Sequence, residues 1–282
     1  MTNASGFLEA NGAKIYYEVE GEGAPVVLIH AGIANLRMWD DQVPALADAY
    51  RVIRYDTRGF GRTETEDVEF SNRADIADLL DHLGESSAHL VGISRAGQIA
   101  LDFAIESPER VRSLVVANGG VSGYEAPDGD PSVWAQAEKW WEAKDWERLA
   151  EWETQFWVDG EGQPSGRADR AIRDRVHDWI LTNYQAEKAE GQPQTLVPPA
   201  AGRLAELRAP LMVIIGSVDE ASTQASCRFL AASVPGARLE LFDGAAHMVN
   251  LELPERFNSV LREFLDANSR AGTTASELPR HG

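Results

Sequence analysis

Six short runs rich in β-branched residues punctuate the chain: PVVLIH (Pro25 to His30), YRVIRYD (Tyr50 to Asp56), AHLVGIS (Ala88 to Ser94), RSLVVAN (Arg112 to Asn118), PLMVIIG (Pro210 to Gly216) and ARLELFDG (Ala237 to Gly244). Most are apolar enough to be buried, and helical patterns fall between most of them. Near-continuous apolar strands alternating with helices imply a parallel sheet covered on both faces. The expected fold class is therefore α/β, with a doubly wound, mostly parallel sheet. A chain of 282 residues, 44% hydrophobic, can build one such domain or two small ones.

The N-terminal segment has a different pattern. Phe7 to Ala10, the turn signal Asn11-Gly12 and the alternating AKIYYEVEG from Ala13 predict a hairpin. At the other end Pro254 starts a helix whose Phe257, Val260, Leu261, Phe264 and Leu265 share one face. Residues 121–201 break the strand-helix rhythm with no convincing strand, and seven of the eight tryptophans lie there: Trp134, Trp140, Trp141, Trp146, Trp152, Trp157 and Trp179. This predicts an amphipathic helical cap inserted between a first core part, 1–120, and a second, 202–268, with 269–282 as a flexible tail that lacks apolar periodicity. Most of those indoles are expected to pack the cap on itself and on the core. Trp134 and Trp157 are the candidates for lining a substrate pocket, together with Ile33 from the core.

Composition narrows the function. A net charge of −19, spread along the chain, would repel a phosphate backbone, so nucleic acid is not an expected partner. The single Cys227 excludes an intrachain disulfide and a cysteine metal cage. The start shows no signal-peptide pattern and no run is long enough to span a bilayer, which leads to the expectation of a cytoplasmic protein without a membrane partner. The expected partner is a small-molecule substrate, no metal or other cofactor is called for, and a homodimer is left open.

Ser94 raises the chemical question. It ends an apolar run just where a helical pattern begins, with Gly92 two residues before it, Ala96 two after it and Gly97 next. Such a serine is either a helix cap or an exposed nucleophile on a sharp turn. A nucleophilic hydroxyl needs a base, and the base needs a third group to hold it. Asp219 follows the run PLMVIIG, with Glu220 beside it as a substitute, and His247 follows ARLELFDG in a loop of small residues. Both sit just past strand ends, where active groups gather in open α/β sheets. The oxyanion of an acyl-transfer intermediate would be met by the backbone amides of Gly32 and Arg95, with Ile33 as the alternative to Gly32. His30 is expected to shape that loop without titrating in catalysis. The Arg95 side chain, a cation on a first helical turn, calls for a compensating partner, either a protein carboxylate or an acidic or polarised group of the substrate.

The stretches VVLIHAGIANLRMWD, VIRYDTRGFGRT, HLVGISRAG, VIIGSVDE and GAAHMVNLELPERF occur in an order that resembles the α/β-hydrolase superfamily, in its esterase, lactonase and cofactor-free haloperoxidase branch. The likeness covers nearly everything except the tail. His-Ala-Gly in place of the usual His-Gly and Ser-Arg-Ala-Gly in place of a double glycine are departures at the oxyanion site. The resemblance implies the nucleophile, acid, histidine order Ser94, Asp219, His247, and a structural role for Asp56, Arg58, Gly59 and Gly61 in the loop beside the site. A serine at the nucleophile position argues against the dehalogenase and epoxide-hydrolase relatives, which use aspartate there. Hydrolysis of a small ester or lactone through an acyl-enzyme is thus the leading expectation. Carbon–carbon bond hydrolysis by the same triad, or a hydrolase-like binding protein with little turnover, are the alternatives.

Overall fold

The computed structural model describes residues 4–126, 131–186, 188–189 and 191–269. Of the expected flexible tail, 269–282, only Ser269 is described, as the last residue of the final helix, and 270–282 lie outside the described residues. The hairpin forms as β1 (Ala4–Ala10) and β2 (Ala13–Glu20), paired antiparallel across Asn11-Gly12. The six apolar runs become β3 (Ala24–Ile29), β4 (Tyr50–Tyr55), β5 (Ala88–Ile93), β6 (Val111–Ala117), β7 (Leu211–Gly216) and β8 (Arg238–Phe242). These eight strands run in the order β1-β2-β4-β3-β5-β6-β7-β8. From β4 to β8 every neighbouring pair is parallel, while β2 joins β1 and β4 antiparallel.

The parallel strands are apolar on both faces because both faces are covered. Val27, Ile29, Leu90, Val213 and Ile215 belong to one core, which helices α1 (Asn72–His82), α2 (Arg95–Glu106) and α6 (Ala221–Ser233) close. Val26, Leu28, Val91, Met212 and Ile214 belong to the other core, closed by α7 (Pro254–Ser269). On α7, Phe257, Leu261, Phe264 and Leu265 are buried and Val260 is half-buried against them, as the spacing predicts.

Between β6 and β7 the chain forms α3 (Ala135–Glu142), α4 (Trp146–Thr154) and α5 (Arg170–Gln185). A π-helical turn, Gln155–Asp159, follows α4. The only strand pairing in this insertion, among the described residues, is Gln192–Pro193 against Glu69–Phe70. Ala150, Val158, Val176 and Ile180 of the insertion join the second core, so it is packed down on the sheet ends. Trp134, Trp152, Phe156 and Trp157 form a ring cluster with centroids 4.7 to 5.6 Å apart. No helix among the described residues is long and apolar enough to cross a membrane.

Candidate active site

Ser94 occupies the single residue between β5 and α2, with φ 61° and ψ −129°. That conformation costs an L-residue about 1–3 kcal/mol and persists only where its surroundings enforce it. The close turn enforces it: a Cβ on Gly92 would stand 2.4 Å from the carbonyl oxygen of Ala96, so only glycine fits there. Ser94 holds the N-cap position, yet its side chain makes no capping hydrogen bond. Of the two roles open to the serine, capping is therefore not the one it performs.

Asp219 and His247 come together at the ends of β7 and β8. His247 Nδ1 donates to Asp219 at 2.8 and 3.0 Å to its two oxygens, and both side chains are almost fully buried. With Nδ1 as donor, Nε2 carries a lone pair able to accept a proton. Glu220 does not share this bond; its carboxylate takes the Thr223 hydroxyl at 2.8 Å. The two loops approach because β7 ends in glycine: a Cβ on Gly216 would lie 2.1 Å from the Ala246 carbonyl oxygen. No hydrogen bond joins Ser94 to His247 among the described residues. Serine–histidine contacts of this kind commonly tighten only around a substrate.

Asn118 holds the rim between these groups, and nothing in its sequence setting marked it out. It directly follows β6 with φ 45°, a region asparagine tolerates better than most residues. Its Nδ2 donates to the carbonyls of Ala246 at 3.1 Å and His247 at 2.8 Å, and its Oδ1 accepts from the Gly216 amide at 2.9 Å. One buried side chain thus fixes the Asp219 loop and the His247 loop against the strand beside Ser94. Asn118→Ala strands three buried backbone groups and is expected to lower stability by about 3 kcal/mol. Urea unfolding should read that loss.

The insertion reaches the histidine too. The Trp157 carbonyl accepts the His247 amide at 3.2 Å, and the Trp157 ring lies 4.3 Å from the imidazole. Arg167 ties the Val158 and Asp159 carbonyls to Gly244 and Glu252, and Glu252 accepts the Ala246 amide at 2.7 Å. Trp134 stands behind Trp157, with ring centroids 5.6 Å apart.

Across the site, the loop after β3 carries Gly32 and Ile33, whose amides make no hydrogen bond among the described residues. The Arg95 amide lies in the first turn of α2, where amides have no intrahelical acceptor. The Arg95 guanidinium donates to the Thr57 hydroxyl at 2.9 Å and lies 4.9 Å from the Phe60 ring centroid, and its Nε would be 3.6 Å from a Cβ on Gly32. Asp56 accepts the amides of Leu36 and Arg62 at 2.8 and 2.7 Å, and Arg58 pairs bidentately with buried Asp75. Among the described residues no three metal-ligating side chains converge.

His30 anchors the same loop as a neutral ring. Its Nδ1 donates to the Ala31 carbonyl at 2.8 Å and its Nε2 accepts the Thr57 amide at 2.9 Å. Burial lowers its pKa to about 3, with the Arg95 charge acting in the same direction and the Ala31 bond opposing. A folded pKa below the unfolded value of 6.5 means that the unfolded chain binds the proton better. This contribution to stability is whole above pH 6.5 and is lost as the pH falls towards 3. Denaturant unfolding of the parent should weaken more steeply than that of His30→Gln between about pH 6.5 and 4. Parallel pH profiles would contradict the neutral assignment.

Known proteins extend this picture. Residues 24–254 match the alpha/beta hydrolase fold family. The chain is 27% identical to 3-oxoadipate enol-lactonase 1 of Acinetobacter baylyi, over 90% of this chain and 94% of that one. It is 30% identical to a 2-hydroxy-6-oxononadienedioate/2-hydroxy-6-oxononatrienedioate hydrolase of Burkholderia vietnamiensis, over 89% of this chain and 91% of that one. A solved hydrolase from Pseudomonas aeruginosa PA01 superposes with a TM-score of 0.74 at 26% identity, covering 94% of this chain and 98% of that one. The strand order, the strained turn at Ser94 and these likenesses agree, and the chain belongs to the α/β-hydrolase fold family.

Proposed function

We propose that the protein is a serine hydrolase that cleaves a small ester or lactone through an acyl-enzyme on Ser94. The observation that carries this reading is the strained, non-capping Ser94 turn at the rim where His247 is paired with buried Asp219. In the first half-reaction His247 Nε2 takes the hydroxyl proton as Ser94 Oγ attacks the carbonyl carbon. The oxyanion that develops is met by the Arg95 amide and by Gly32 or Ile33. Collapse of this intermediate expels the alcohol, which leaves with the proton held on His247. A water then gives its proton to His247, attacks the acyl carbon and releases the acid, restoring Ser94. In a lactone the expelled alcohol stays tethered to the acyl group until that second step. Asp219 keeps the proton on Nδ1 throughout, so that Nε2 always faces the reaction. The inserted helices act as a cap, with Ile33, Trp134 and Trp157 lining its contact with substrate.

A second reading, cleavage of a carbon–carbon bond by the same groups, draws on the Burkholderia relative, whose named substrate is a 2-hydroxy-6-oxo dienedioate or trienedioate. The two separate by assay. Short p-nitrophenyl esters and small lactones are expected to turn over with kcat/KM of about 10⁴ M⁻¹s⁻¹ or more. Turnover confined to a 2-hydroxy-6-oxo-dienoate would replace ester hydrolysis by the second reading. Saturable binding with no turnover on either substrate would mark a binding protein.

A further inference from the structure

Two cavities meet at one carboxylate. The smaller, about 190 Å³, lies between Gly32, Ile33 and Phe60 on the core side and Trp141, Glu153 and Tyr184 on the insertion. The larger, about 290 Å³, is walled by Trp134, Trp141 and Tyr184 and edged by Glu138, Glu142 and Glu153. Its lining carries no Lys, Arg or His among the described residues. Glu153 is only 8% exposed, and its Oε2 accepts the Tyr184 hydroxyl at 2.8 Å. Among the described residues its Oε1 accepts no hydrogen bond and no cationic side chain lies within ion-pair distance. Burial pushes the carboxyl up to about 7, with the Tyr184 bond pulling the other way. A buried carboxylate without a counter-charge is costly unless something supplies one.

Aromatic faces attract organic cations through the negative face of the ring, most strongly where water is excluded, and a nearby carboxylate adds to that attraction. We propose that the larger cleft is a subsite for an organic cation, the ammonium group of the substrate, held against Trp134, Trp141 and Tyr184 with Glu153 as its counter-charge. This rests on the hydrolase reading and narrows its substrate class to small esters or lactones bearing an amine or quaternary ammonium away from the scissile carbonyl. The rings run on from the cleft towards the histidine: Trp134 touches Trp157, whose ring lies 4.3 Å from that of His247. Trp141 is 49% exposed, which leaves the cleft open for entry.

Choline esters and their 3,3-dimethylbutyl counterparts differ only in N⁺ for carbon, so the ratio of their kcat/KM values isolates the charge. The choline ester is expected to be favoured by about tenfold or more. Glu153→Gln should bring the ratio close to one and Trp141→Leu, at an exposed ring, should lower it. Glu147→Gln, exposed on the same helix but outside the cleft, should leave it unchanged. Equal rates on the two esters, or a preference that survives Glu153→Gln, would overturn the subsite. Binding is read separately by titrating Ser94→Ala protein with tetramethylammonium chloride against sodium chloride at equal ionic strength, following tryptophan fluorescence. A saturable change that Glu153→Gln abolishes supports the subsite even if no ester is hydrolysed, in which case the hydrolase reading alone fails. Ester turnover without charge preference, and without saturable binding, sinks the subsite and leaves the hydrolase reading standing.

Discussion

Ser94→Ala should lower ester hydrolysis by about 10⁴- to 10⁶-fold while the protein stays folded. With Ser94 as the proposed nucleophile, the loss is that large because His247 and Asp219 would have nothing to activate once the hydroxyl is gone. What survives is the rate that oxyanion donors and binding give to water alone. A companion variant separates chemistry from structure. Ser94 sits at φ 61°, which glycine adopts without strain, so Ser94→Gly should be as inactive as the alanine variant yet more stable than the parent by about 1 kcal/mol. Alanine keeps the strain and should leave stability nearly unchanged. Activity and stability moving in opposite directions at one residue would show that the strained turn is maintained for the hydroxyl. A serine placed there for structure alone would lose stability in both variants.

Asp219→Asn should reduce kcat by about 10⁴-fold with KM little altered. The asparagine oxygen can still accept the Glu220 amide, which the Asp219 Oδ1 accepts at 2.8 Å, and this leaves the amide NH₂ facing His247 Nδ1. A donor facing Nδ1 moves the imidazole proton to Nε2, where a base must instead hold a lone pair. Geometry is thereby kept and the tautomer is lost. Glu220→Gln should change kcat by less than about threefold, since its carboxylate serves the Thr223 hydroxyl at the start of α6 and not the imidazole. Steady-state kinetics on one activated ester checks both variants, and the reverse ranking would move the acid to Glu220.

The alternation of buried apolar runs with helices was enough to expect the parallel sheet and both of its covering layers, because strands covered on both faces leave a pattern that does not depend on their order. Their order in space does not leave one: β4 enters between β2 and β3 through contacts across the sheet, and nothing in YRVIRYD encodes its neighbours. The same division runs through the candidate site. Gly92, Ser94 and Ala96 signal a turn within five residues of chain, and Asp219 and His247 signal themselves by following strands. Asn118 carries no such local mark, because its role arises only when Gly216 and His247, about a hundred or more positions away, close on it. Arg167 and Glu252 tie the insertion to the histidine loop in the same long-range way. Glu153 is one acidic residue among 45 in the chain, and only its burial beside two cavities sets it apart. The Arg95 side chain is a different case. The demand for a partner was legible from the helix start, but the contacts with Thr57 and Phe60 come from a loop that sequence reasoning could not bring alongside it.

A fluorophosphonate tests the proposed role of Ser94 as nucleophile directly, because the reagent bonds covalently to a serine only where an activated hydroxyl and an oxyanion site act together. Intact-mass analysis after treatment should show one adduct per chain, and peptide mapping should place it on Ser94. Ser94→Ala protein should take up none, and Asp219→Asn protein should label far more slowly than the parent. An adduct on any other residue, or equal labelling of parent and Ser94→Ala, would contradict the account.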